Sequence, residues 1–345
     1  MCVWYDPGVI GVDLGTTHVR IHVKGRGVVL REPAVIAVTK GTTDVKAVGW
    51  EAYRMLGRTP GTITAVRPMA DGVIADYTLT ERMLKTFISR VLTGPNRFLR
   101  PTIMVCIPSG ITDVERRAVL QAVHELGARK ALLIEEPVAG AIGAGIDIAE
   151  PIGSMVVDVG GGTTDVAVLS MGGIVVSQSL RIAGNHFDQD IIAWVKNHHN
   201  LLIGDRSAEE IKQRVGAATL APGEEDRSTQ VRGRDLIDGM PKSVTVSTSD
   251  VVEALTPSLD KIATCLRKVL EQAPPELVSD VIDRGIVTTG GGSQLRNLDR
   301  FLGDLTGIPV ALAENPEDCV VVGTSRALDM ADVLQDARRR GGVFH

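Results

Sequence analysis

With 345 residues, 44% of them hydrophobic and 23% charged, the chain is globular in make-up but longer than one core usually serves, so two lobes are expected. A formal net charge of −5 argues against nucleic acid as the main partner, because a duplex binder needs a basic face. The four cysteines (Cys2, Cys106, Cys265, Cys319) have no paired spacing, which argues for a reducing compartment and against a cysteine zinc site.

Strands and helices alternate from end to end, the pattern of an α/β protein. Val9-Ile10 opens a strand that runs into Val12-Asp13-Leu14-Gly15-Thr16-Thr17, and an alternating stretch over 18–23 follows before Gly25 and Gly27. Strand, glycine turn, strand is the signature of a tight hairpin. Residues 28–38 and 45–48 read as further strands. Met83, Leu84, Phe87, Ile88 and Val91 fall on one side of a helix predicted over 80–92. A strand over 103–107 ends at Pro108-Ser109-Gly110. Thr112-Asp113-Val114-Glu115 is then a capping box, whose helix closes at Gly127. Next come a strand over 132–134, the run Glu135-Glu136-Pro137, and a helix of small residues over 139–145 that would let two elements pack closely.

The second half repeats the opening. Val156-Val157 leads into Asp158-Val159-Gly160-Gly161-Gly162-Thr163-Thr164-Asp165, a strand over 166–169 and the pair Gly172-Gly173. Helices are predicted over 191–196, 208–215 and 250–272, the last with a bend at Pro257. Between them, 221–226 has loop composition and 244–246 alternates like a strand. A strand over 286–289 stops in Gly290-Gly291-Gly292, ahead of a helix over 293–305. A strand over 308–312 and a helix over 319–334 complete the series. No stretch approaches transmembrane length, and the opening residues lack a secretory pattern.

Glycine lets backbone N–H groups come close to an anion, and threonine hydroxyls add donors. An aspartate at a strand end cannot sit on a phosphate, but it can hold a hydrated Mg²⁺ that does. The equivalent hairpins opened by Asp13 and Asp158 therefore predict two related lobes, with a polyphosphate clamped in the cleft between them. The third glycine loop would let an adenine ring or phosphate approach the backbone over a helix N-terminus. Glu135 and Glu136 have a plain reading, carboxylates favoured by the dipole of a helix start. Their place after a strand of the first lobe supports another, in which Glu136 faces the cleft and orients water for attack on a γ-phosphate.

In this order the motifs resemble the actin, sugar kinase and heat-shock ATPase superfamily. The segments Gly57-Arg58-Thr59-Pro60-Gly61, Asp71-Gly72-Val73-Ile74-Ala75-Asp76, Arg181-Ile182-Ala183-Gly184, Asn200-Leu201-Leu202-Ile203-Gly204 and Val231-Arg232-Gly233-Arg234-Asp235 are similar to the MreB family of bacterial cytoskeletal proteins, and the likeness runs from about residue 9 to residue 328. The resemblance implies two duplicated actin-like (ribonuclease H-like) lobes around a nucleotide cleft. Lobe I would take 1–146 plus 316–345, with a small subdomain over about 31–76. Lobe II would take 147–315, with a small subdomain over about 183–248.

It further implies ATP with Mg²⁺ as cofactors. Gly15, Thr16, Thr17 and His18 would line the first phosphate loop, and Gly160, Gly161 and Gly162 the second. Glu209, Glu210, Ile211 and Lys212 match the stretch beside the ribose and base, where the residues alone read as a solvated helix turn. Gly290, Gly291, Gly292 and Ser293 would lie on the other side. Asp13 and Asp158 would hold magnesium through water, and Glu136 with Thr163 or Thr164 would position the hydrolytic water. Phe98-Leu99, between Arg97 and Arg100, matches an apolar dipeptide that dips into the inner membrane leaflet, although by itself it reads as a strand entrance joining the core. Val3-Trp4-Tyr5 would suit a second interfacial anchor.

Thr17-His18 stands where the family usually has Ala-Asn, Asp165 stands for a glutamate, and 217–230 is long and acidic. These departures point to a paralogue within the family, and the excess of Arg over Lys, a hint of a GC-rich genome, leaves a specialised wall-building role such as in sporulation open. The expected function is an ATP-dependent actin-like filament at the inner face of the bacterial membrane. It would be a slow ATPase that associates with itself, with the membrane surface and with cell-wall synthesis and shape-determining membrane proteins. The competing classes are a small-molecule kinase or other ATPase of the superfamily, a chaperone, and a plasmid-partition filament.

Overall fold

The computed structural model describes residues 9–92 and 100–328. The candidate membrane residues Phe98 and Leu99, the Val3-Trp4-Tyr5 segment and the end of the last predicted helix lie outside the described residues.

Two five-stranded sheets share one topology. In the first, the strands run in the order Lys130–Glu135, Thr102–Ile107, Val9–Leu14, His18–Val23, Gly27–Pro33. In the second the order is Val310–Leu312, Ile286–Thr289, Ser154–Val159, Thr164–Ser170, Gly173–Leu180. Each is an antiparallel three-strand meander whose first strand takes two more strands in parallel on its other side. The duplication expected from the two hairpins is thus a duplication of whole sheets, the actin-like arrangement.

Parallel sheets need helices on both faces, and their central strands are apolar throughout. Val9–Leu14 and Ser154–Val159 follow that rule. On the outer face of the first sheet, Ile10, Val12 and Val105 pack with Met83, Leu84 and Phe87 of the helix Tyr77–Val91. On the outer face of the second, Val157 and Val166 pack with Phe187, Leu255, Leu259 and Ile262. A third core lies between the sheets and joins Met104, Cys106 and Ile134 to Val156, Ala167 and Leu169. Two helices fill it, Glu136–Gly143 and Cys319–Ala327. They touch backbone to backbone: a Cβ on Gly323 would overlap the Ala139 carbonyl, and one on Gly143 the Cys319 carbonyl. The run of small residues permits this approach, as the sequence predicts.

The departures from the predicted elements have local causes. The strand expected over 28–38 is two, Gly27–Pro33 and Ile36–Thr39, because after Ala34 bonds the Thr17 carbonyl the Val35 N–H turns back to the Pro33 carbonyl. The second piece joins Val45–Val48 and Ile63–Val66 in a small sheet above the first lobe. The helix predicted from residue 80 starts at Tyr77, since the Asp76 carboxylate caps the Leu79 N–H. The predicted capping box at Thr112 and Glu115 is present on both sides. The helix expected over 293–305 is instead a single 3₁₀ turn, Gly291–Gln294, and a helix Leu298–Thr306. No α-helix N-terminus therefore lies beneath the third glycine loop.

Several elements have no counterpart in the predicted series, among them Ile63–Val66, Gly173–Leu180, Ser228–Asp235 and Pro275–Arg284. Ser228–Asp235 buries only Val231 and Asp235, so its strand carries little apolar alternation. Pro275–Arg284 starts on a proline, which suits the first turn of a helix but carries no apolar signal there.

Candidate functional site

A cleft of about 1270 Å³ opens where the two sheets face each other. The first hairpin contributes Asp13, Gly15, Thr16, Thr17 and His18 to its lining, and the second Asp158, Gly160, Gly161, Gly162 and Thr163. Glu136, Glu209, Lys212, Gly290, Gly291 and Gly292 also line it. The hairpins meet across the cleft. A Cβ on Gly161 would strike the Thr17 side chain and one on Gly162 the Thr16 side chain, which accounts for two of the three glycines. Gly290 holds φ +85° against the Val159 carbonyl, a conformation and a closeness that no larger residue accepts.

Four predicted residues do not line the cleft. Thr164 is fully buried and donates to the Ile182 carbonyl at 2.7 Å. Ser293 donates to the Gly290 carbonyl at 2.6 Å and so shapes the loop from behind. On the helix Asp205–Val215, three residues of spacing bring Glu209 and Lys212 to the same face. Ile211 turns into the lobe II core, and Glu210 turns outward to Arg206 at 3.3 Å.

Several contacts in and around the cleft carry no sequence signal. The Ser109 N–H and hydroxyl both donate to Asp165 Oδ1, at 2.9 and 2.6 Å, and join the loop after a lobe I strand to the second hairpin. The Thr17 hydroxyl donates to Asn185 Oδ1 at 3.2 Å, and the Gly72 N–H to Thr16 Oγ1 at 2.9 Å. At the cleft mouth the Tyr53 hydroxyl donates to Glu209 Oε2 at 2.7 Å, with the Arg67 guanidinium over the tyrosine ring. The only hint at Tyr53 is its place four residues before the Gly57-Arg58-Thr59-Pro60-Gly61 segment.

The floor of the cleft concentrates negative charge. Glu136 is held well above the usual carboxylate range, first by burial and then by Asp165, Asp158 and Asp13. Burial pushes Asp158 up to about 7, against a hydrogen bond of 2.6 Å from the Thr289 hydroxyl. Asp13 is raised by burial too, with Arg20 opposing. His18 is pushed down to about 4, mainly by burial and then by Arg20, so its ring is neutral at physiological pH. These buried carboxylates are hard oxygen donors short of positive charge, and they fit a magnesium ion. Among the described residues no three His, Cys, Asp or Glu side chains converge closely enough to hold a metal directly.

Glu135 ends its strand beside the cleft, buried and with Oε2 unpaired by any hydrogen bond. Burial, opposed by Arg116, raises it to about 7 from an ordinary 4.5. The folded chain therefore keeps this proton after the unfolded chain has lost it. The stability so gained is full below the unfolded value and lost as pH rises through about 7. Glu135→Gln is expected to exceed the wild type by roughly 1–3 kcal/mol at pH 8, and by much less near pH 5. Urea melts at both pH values check this; an equal difference at both would contradict it.

The model of the MreB/Mbl protein family matches residues 8–336. The cell shape-determining protein Mbl of Bacillus subtilis (strain 168) is 50% identical over 325 residues, which cover 94% of this chain and 97% of Mbl. The cell shape-determining protein MreB of Escherichia coli (strain K12) is 50% identical over 330 residues, 94% of each chain. The crystal structure of MreB 5 of Spiroplasma citri bound to AMPPNP superposes with a TM-score of 0.89 at 37% identity, covering 95% of this chain and 97% of that one. The chain belongs to the MreB/Mbl family.

Proposed function

We propose that this chain is an ATP-dependent, actin-like filament protein that acts in cell shape from the inner face of the bacterial membrane. One observation carries the nucleotide reading: both glycine-threonine hairpins, Asp13, Asp158 and Glu136 line one cleft. The relative of known structure with AMPPNP and the shape-determining names of Mbl and MreB support the same reading.

In this reading, backbone N–H groups of 15–18 and 160–162 grip the phosphates from opposite lobes. Glu209 and Lys212 stand at the ribose and base on one side, and Gly290, Gly291 and Gly292 on the other. Asp13 and Asp158 hold the hydrated magnesium, which when bound supplies the positive charge that phosphates and carboxylates both need. Glu136, with Thr163 beside it, aligns the hydrolytic water, and turnover is slow. The domain limits given above would make the cleft a hinge between lobes. Nucleotide closing it would fix the subunit shape that stacks head to tail, a heterologous contact that grows without closing on itself.

Among the described residues no helix is long and apolar enough to cross a membrane. The membrane contact we propose is peripheral and made by Phe98 and Leu99, with shape-determining and wall-synthesis membrane proteins as partners. Electron microscopy of the purified chain with Mg·ATP on anionic lipid tests the proposal. Filaments on the lipid are expected; their absence with ATP, ADP and a non-hydrolysable analogue alike would contradict it.

A further inference from the structure

At the strand position opposite each hairpin's aspartate, the two phosphate hairpins carry opposite charges. In the first hairpin Asp13 stands opposite Arg20 across the antiparallel pair; in the second, Asp158 stands opposite Asp165. Side chains directly opposite one another share a face of the sheet. Arg20 lines the cleft and is buried, with its guanidinium 3.5 Å from Asp13, 2.8 Å from Glu317 and 3.7 Å from Asp318. Its Nε makes no hydrogen bond despite burial. Glu317 accepts a second hydrogen bond, 2.6 Å, from Gln294 in the turn that carries Gly291 and Gly292. Asp158 has a different setting: a hydroxyl from Thr289 and, as cross-strand neighbour, another carboxylate. Asp13 thus has a cation as its cross-strand neighbour, while Asp158 has an acid.

We propose that Arg20 is a positioning residue and a built-in counter-cation of the nucleotide cleft. It fixes the Asp13 carboxylate and ties the first phosphate hairpin, through Glu317 and Gln294, to the third glycine loop. This rests on the nucleotide reading above. Without the guanidinium, Asp13 and Glu317 would lose their nearest positive charge, and binding a triphosphate beside them would depend more strongly on a divalent ion.

The test is the affinity of the full chain for a non-hydrolysable ATP analogue, titrated calorimetrically in magnesium and in EDTA. The quantity read is the ratio of the two dissociation constants. Arg20→Met is expected to raise that ratio about tenfold over the wild type. Arg20→Lys should bring most of it back, which loss of mere packing would not predict. Glu317→Gln should lower it, because Arg20 is then shared among fewer acids. An Arg20→Met ratio equal to or below that of the wild type overturns the proposal. If Arg20→Met fails to fold by circular dichroism, Glu317→Gln decides, and an unchanged or higher ratio there overturns it. A wild-type chain that binds no analogue even in magnesium would overturn the nucleotide reading itself.

Discussion

Asp158→Ala is expected to abolish Mg·ATP binding. Asp158 is the penultimate residue of a fully buried strand in the middle of the second sheet, and it lines the cleft. A full charge a few ångströms from a divalent ion, at the effective dielectric of a partly buried site, is worth on the order of several kcal/mol. That corresponds to an affinity loss of at least about a hundredfold. Asp158→Asn separates charge from shape, since its amide oxygen still accepts the Thr289 hydroxyl that now approaches Oδ1 at 2.6 Å. Both variants should lose binding, and the asparagine variant should keep the wild-type melting temperature more nearly. Calorimetric titration checks the first outcome; unchanged affinity in either variant would refute the role.

Glu136→Gln is expected to bind nucleotide normally and release phosphate slowly, by about a hundredfold or more below wild type. Glu136 opens the helix that fills the space between the sheets, only 8% exposed. Three other acids crowd it, so without a cation its carboxyl stays protonated well above the usual range. Glutamine has the shape of that protonated acid and should fold without strain. It cannot take a proton from water, so the loss should appear in turnover and not in affinity or melting temperature. Phosphate release at the wild-type rate would remove Glu136 from the chemistry and leave it a buried helix start.

These outcomes depend on features of unequal visibility in the sequence. The twin hairpins are legible because an aspartate, a glycine turn and threonines must come in that order for a backbone to reach a phosphate. Glu136 is legible through its position after a strand. Glu209 and Lys212 are legible only through the family resemblance, and helix phase then sorts them from Glu210 and Ile211. The bonds between lobes, Ser109 to Asp165 and Tyr53 to Glu209, join residues 56 and 156 positions apart and follow no local period. They become visible only when the sheets are set face to face. The third glycine loop misleads for a related reason: the residues after it favour a helix, yet Asn297, at φ +61°, delays the helix by a turn.

Crystallography of the chain with magnesium and a non-hydrolysable ATP analogue tests the twin-hairpin clamp most directly. The terminal phosphates are expected between the backbone N–H groups of 15–18 and those of 160–162, with Asp13 and Asp158 both turned toward the metal's waters. A nucleotide touching one hairpin alone, or seated away from both aspartates, would contradict it.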